Sequence, residues 1–290
     1  MFKRSKNKII VVLRGGLGNQ LFQLAAAAKV ASGNGFYVYD YHVDSSTIRK
    51  YLNGMEFIDR QSFLRVSRTT GLPFLDRLLL AGYKRVPKSY RWYWYWDEDS
   101  SANEMTACRP RNIILDGYWQ SIEFTGLNEV YLRGLINHAA LSESYYNAKA
   151  YIENNANVCV HVRRGDYQTP QFAKKFDVCG VDYYLKAFKL LKERLSSEGL
   201  SVCFFSNDIG WVSKYLSGVP DQVIDVGGYN LTDFEEMLLI GSLKNAVIPN
   251  STFSWWGVVM TGEKEIVVCP KSWFAHEDRE SLVSDDWYRL

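Results

Sequence analysis

The chain has 290 residues, 47% of them apolar and 23% charged, with a formal charge of +2. At roughly 100–200 residues per domain this is long enough for two domains, each with its own core. The charge is too small to recruit nucleic acid, and no window approaches the roughly 20 consecutive apolar residues of a membrane-spanning helix.

In chain order, Lys3, Arg4, Lys6 and Lys8 form a basic tip suited to peripheral contact with an anionic membrane surface. Residues 9–13 are apolar on both faces, as a central parallel strand requires. Arg14-Gly15-Gly16-Leu17-Gly18-Asn19-Gln20 follows, then a helix-forming stretch over 21–31 stopped by Gly33-Asn34-Gly35, and a second strand over 36–39. The glycine loop has neither dinucleotide-fingerprint spacing nor the Lys-Ser/Thr pair of a P-loop. Its glycines let the backbone approach a ligand, with the Asn19 amide at the helix start; a tight turn with an Asn cap is the other reading. Residues 74–81 suit a short helix, 90–96 are densely aromatic, and 112–115 read as a strand leading into Asp116-Gly117-Tyr118-Trp119-Gln120-Ser121. The polar stretch 147–157 is the expected linker, dividing a domain at 1–150 from one at 155–290.

The second half alternates regularly: strands over 158–162, 201–205, 222–226, 245–248 and 265–269, helices over 182–197, 209–217, 231–243 and 254–261. Thr232 or Asp233 caps the third of these helices. Alternation of this kind predicts a doubly wound parallel α/β sheet, whose ligands lie beyond the carboxyl ends of the strands. The residues there are Arg163-Arg164-Gly165-Asp166, Ser206-Asn207-Asp208, Gly227-Gly228-Tyr229-Asn230 and Asn250-Ser251-Thr252, all polar or glycine. Cys159, Cys203 and Cys269 lie inside apolar runs, and five cysteines without a CxxC pair fit a reducing compartment.

His161-Val162-Arg163-Arg164-Gly165-Asp166-Tyr167 is the sharpest motif. Alternation puts His161 and Arg163 on one face at the strand end and Arg164 on the other. Arginine, always charged and planar, suits a diphosphate. The alternative pairs one Arg with Asp166 and leaves the other solvated. Asn250-Ser251-Thr252-Phe253-Ser254-Trp255-Trp256-Gly257 offers a helix N-terminus for an anion, or a simple cap, with Trp255 and Trp256 as core. Asp97-Glu98-Asp99 reads as a solvated loop, the histidines lack zinc spacing, and no metal site is expected.

Together these motifs resemble the bacterial alpha-1,2-fucosyltransferases of glycosyltransferase family 11. The similarity runs from Gly15–Gln23 through Asp116–Ser121, His161–Tyr167 and Phe205–Asp208 to Asn250–Gly257, and continues to Pro270–Trp273 and Asp286–Tyr288. It implies a GT-B type α/β fold of two Rossmann-like domains facing a cleft, acceptor-side at 1–150 and GDP-fucose-binding at 155–290. The implied reaction is metal-independent, inverting transfer of L-fucose from GDP-beta-L-fucose to the 2-hydroxyl of a terminal galactose. The acceptor is a galactose-terminated oligosaccharide or lipid-linked glycan, and no cofactor is needed. Arg163, Asp166 and His161 are the expected catalytic residues. The expected substrate- and donor-binding set is Gly16, Gly18, Asn19, Arg164, Ser206, Asn207, Asp208, Asn250, Ser251, Thr252 and Phe253. Asp166 and His161 are the motif's acid/base groups, and the choice of base stays open. A basic N-terminus without the membrane anchor of animal relatives implies a cytoplasmic enzyme, peripheral to the membrane at most. The alternatives are another fucosyl linkage (alpha-1,6 or protein O-linked) or a catalytically dead glycan-binding member of the fold.

Overall fold

A computed structural model describes residues 8–31, 35–40, 43–58, 94–96, 112–122, 132–165, 178–195, 199–273 and 282–290. The chain divides into two compact units, Met1–Ile136 and Asn137–Leu290.

The first unit holds strand β1 (Lys8–Val12), helix α1 (Leu17–Ala31), β2 (Tyr37–Tyr39), α2 (Ser46–Tyr51), β3 (Glu56–Phe57), β4 (Trp94–Trp96) and β5 (Asn112–Leu115). Its sheet runs β3-β2-β1-β5-β4, every pair parallel. β1 takes the centre because Ile10, Val11 and Leu13 are apolar on both faces and are fully buried. α1 starts four residues earlier than expected, at Leu17. Gln20 N–H closes its first turn onto Gly16 O at 3.1 Å, and Gly18 is buried within it. Packing overrides the poor helix propensity of glycine there. The helix expected over 74–81 lies outside the described residues, and of the aromatic run only β4 is described.

The second unit opens with helix α3 (Glu143–Asn155), so the linker expected over 147–157 is a correction. Tyr145, Ala148 and Ile152 form a buried stripe at helical spacing beneath the polar face, which composition alone read as linker. The unit boundary accordingly precedes this helix, at 136/137 rather than near 150. Then come β6 (Val158–Val162), α4 (Val181–Arg194), β7 (Ser201–Ser206), α5 (Ile209–Tyr215), β8 (Gln222–Ile224), α6 (Asp233–Ile240), β9 (Asn245–Val247), α7 (Thr252–Met260), β10 (Ile266–Cys269) and β11 (Tyr288–Arg289). The sheet order is β11-β10-β9-β6-β7-β8, again wholly parallel. Thr232 is the N-cap of α6, where Glu235 accepts from Thr232 N–H at 2.9 Å and from Ser142 N–H at 2.7 Å, tying α6 to the start of α3. β11, two partly exposed residues at a sheet edge, carries too weak a pattern to be seen beforehand.

Trp255 and Trp256 are core, as expected. Cys159, Cys179, Cys203 and Cys269 are free and buried, and burial pushes the Cys159 thiol up to about 12, leaving it inert. Helices α6 and α7 approach through glycine: a Cβ on Gly257 would lie 2.3 Å from Met237 O, and one on Gly241 2.0 Å from Gly257 O.

Both sheets share a winding. The chain leaves a central strand toward one edge and later returns on that strand's other side, which places a switch point between β1 and β5 in the first unit and between β6 and β9 in the second. Open α/β sheets bind ligands at such points.

Candidate functional site

At the second unit's switch point, Val160 of β6 is paired with Val247 of β9, so the segments after both strands emerge at one sheet edge. After β6 come Arg163, Arg164 and Gly165. Arg164 is held from several sides. Its Nε lies 3.4 Å from Asp208 Oδ2, its guanidinium is 4.3 Å over the Trp211 ring, and its backbone N–H donates to Asn207 Oδ1 at 2.9 Å. A Cβ on Gly165 would sit 2.2 Å from Asn207 Nδ2, so glycine here makes room for the carboxamide that clamps the loop. Asp208 also caps α5, accepting from Trp211 N–H at 3.0 Å, and Ser206 Oγ accepts from Asp208 N–H at 2.9 Å. Ser206, Asn207, Asp208 and Arg164, four of the expected donor-binding residues, are thus brought together as a scaffold that fixes the arginine loop. The salt-bridge partner of Arg164 shown by the structure is Asp208; Asp166 lies outside the described residues.

His161 is 5% exposed, and its Nδ1 meets no hydrogen-bond partner among the described residues. Burial, reinforced by the nearby Arg163 charge, pushes its pKa down to about 3, so the imidazole is neutral at working pH. The His161 ring lies 5.8 Å from that of Phe253, in the first turn of α7.

After β9 the chain runs through Asn250 to Ser251, the N-cap of α7. Asn250 is turned into the core, where Nδ2 donates to Trp273 O at 2.9 Å and Oδ1 faces Cys179 Sγ at 3.8 Å. Ser251 makes no side-chain cap bond, and the first turn of α7 carries the positive end of the helix dipole. Arg163, Thr252 and Phe253 are only half-buried. Arginine charge and a helix N-terminus therefore stand on neighbouring strand ends, an arrangement suited to a diphosphate.

Gly16, Gly18 and Asn19 stand on the first unit, at its own switch point. Gly15, at φ +70°, turns β1 into α1. Arg14 pairs with Asp116 through two hydrogen bonds, Nη2 to Oδ2 being 2.8 Å, and Gln120 Nε2 donates to Asn19 Oδ1 at 2.8 Å. These two links join the loops after β1 and β5. Gln23 accepts from Arg14 N–H at 2.8 Å, and Gln20 donates to Gly15 O at 3.0 Å and Asp44 O at 3.2 Å. The motifs contain Arg14, Gln20, Gln23, Asp116 and Gln120, but sequence reasoning assigned no site role to any of them. The available signal was two glutamines at i, i+3 beside an apolar helical run, which buried polar partners explain. Gly18 is buried inside α1, whereas a Cβ on Gly16 would meet nothing within 4 Å.

Two successive parallel α/β units, each with a polar switch point, are the architecture of the GT-B type fold. The family model for glycosyl transferase family 11 matches residues 89–290, and the chain belongs to that family. It is 25% identical to an alpha-1,2-colitosyltransferase of Escherichia coli over 97% of this chain and 98% of that protein. It is 35% identical to the Escherichia coli O-antigen biosynthesis glycosyltransferase WbnK over 144 residues, spanning 49% of this chain and only 47% of that protein. Among solved structures it is similar in fold to fucosyltransferase NodZ from Bradyrhizobium (TM-score 0.51, 16% identity, 89% of this chain, 94% of that one). A variant of Arabidopsis thaliana FUT1 in complex with GDP is similar too (TM-score 0.50, 12% identity, 92% of this chain, 71% of that one). No helix among the described residues is long and apolar enough to cross a membrane.

Proposed function

We propose that this family 11 glycosyltransferase moves L-fucose from GDP-beta-L-fucose to the 2-hydroxyl of a terminal galactose, with inversion. The observation that carries this reading is the pairing, on adjacent strands β6 and β9, of a clamped arginine loop with the N-terminus of α7. As the fucosyl–oxygen bond breaks, charge grows on the departing diphosphate. Arg163 and the first turn of α7 supply preorganised stabilisation of that charge. Arg164, Asn207 and Asp208 hold the loop in place, and neutral His161 packs beside Phe253 without adding positive charge. Asp166 is the carboxylate of the motif available to take the acceptor proton. The alpha-1,2 linkage is supported by the full-length similarity to an enzyme named for that linkage.

The same similarity favours a second reading, with GDP-colitose, which lacks the 3-hydroxyl of fucose, as donor. Purified protein incubated with each donor and a panel of beta-galactosides, the products read by NMR, tests both. We expect an alpha-1,2 fucoside as the main product. A preferred colitosyl product moves the assignment to the second reading, and an alpha-1,6 product rejects the linkage outright.

A further inference from the structure

The loop after β5 carries a feature that the donor site does not use. Trp119 lies at φ +54°, the left-handed region that a bulky residue adopts only under constraint, and its side chain is 2% exposed. This turn buries Trp119 and leaves the preceding Tyr118 38% exposed on the first unit's rim. The Tyr118 ring lies beside Gly15: a Cβ there would come within 3.2 Å of Tyr118 Cε1 and 2.6 Å of Asn19 Nδ2. The hydrogen-bonded carboxamides of Asn19 and Gln120 border the same place. A half-exposed aromatic ring edged by amides matches a pyranose, which has an apolar C–H face and a rim of hydroxyls.

We propose that Tyr118 is the platform on which the acceptor galactose stacks, with Asn19 and Gln120 at its hydroxyl edge. This rests on the galactoside-transferase reading above. The test uses the full-length protein with a galactose-terminated disaccharide, comparing wild type, Tyr118→Ala and Tyr118→Phe. Tyr118→Ala is expected to raise the acceptor KM about five- to tenfold, with GDP affinity and Tm as in the wild type, while Tyr118→Phe stays within about twofold. Saturation-transfer NMR of the disaccharide without donor should show its contacts weakened in the Ala variant and kept in the Phe variant. An unchanged acceptor KM in the Ala variant overturns the proposal. So does a fall in GDP affinity alongside it, or a Phe variant as impaired as Ala. If the wild type transfers neither sugar, the transferase reading fails by itself, and the NMR comparison still decides whether Tyr118 binds the galactoside.

Discussion

Arg163 and Arg164 are neighbours in sequence but have different surroundings. Arg164 is 17% exposed at its side chain and engaged by Asp208 and Trp211. Arg164→Ala should therefore lower stability by roughly 1 kcal/mol, about 2–4 °C in Tm for a unit of this size. Arg163→Ala should reduce turnover by about 10²–10³, beyond anything a change in Tm accounts for. Arg163→Lys keeps the charge but loses the planar fork, so it should recover little. Turnover and Tm of the three variants, with and without GDP, decide the matter: near-normal turnover in Arg163→Ala transfers the diphosphate role elsewhere. His161 gives a pH prediction. Its folded pKa of about 3 lies below the ordinary 6.5, so above pH 6.5 neither state is charged and stability is full. Between pH 6.5 and 3 the unfolded chain takes up a proton that the folded chain refuses. Stability is lost as pH falls, by up to about 1.4 kcal/mol per pH unit from this group. His161→Gln should flatten the acid limb of Tm between pH 6.5 and 4; an unchanged slope would mean that the imidazole is protonated in the folded protein.

At the scale of elements, two glycines separate helix placement from loop shape. A Cβ on Gly257 meets the backbone oxygen of Met237, which cannot move without shifting α6. Gly257→Ala should cost several kcal/mol, within the range of severe overpacking, and should lower GDP affinity as the α7 N-terminus is displaced. A Cβ on Gly165 meets only the Asn207 carboxamide, which can swing aside but then releases the Arg164 N–H. Gly165→Ala should weaken GDP binding while Tm falls little. Thermal melts with a GDP titration distinguish the two, and equal Tm losses would contradict the difference between backbone and side-chain obstruction.

For the whole molecule, the proposed neutralisation of the diphosphate by Arg163 and the α7 N-terminus predicts that turnover survives EDTA, because it takes the part that a divalent ion otherwise plays. Strict loss of activity, restored by Mg²⁺ or Mn²⁺, would overturn this. Faster turnover with added cations would not, because they can speed GDP release.

Several features of this protein were legible from its residues alone. Val158–Val162 reads as a central strand because a short, valine-rich run that ends at Arg163 and Arg164 suits burial on both faces of a sheet. The alternation after it predicts a parallel sheet, because a helical crossover returns the chain in the same direction. The family motifs, short and local, were readable for the same reason. What the tertiary structure decided is what each polar residue touches. Nothing local says that Asn207 turns to Arg164, that Asn250 faces the core, or that Gln120 meets Asn19 across 101 positions. Those pairings depend on which strands become neighbours, and sheet order is chosen by burial over the whole unit. The stretch 147–157 erred for the same reason: its polar face is visible in the sequence, but the surface that covers its buried stripe exists only once the chain has folded.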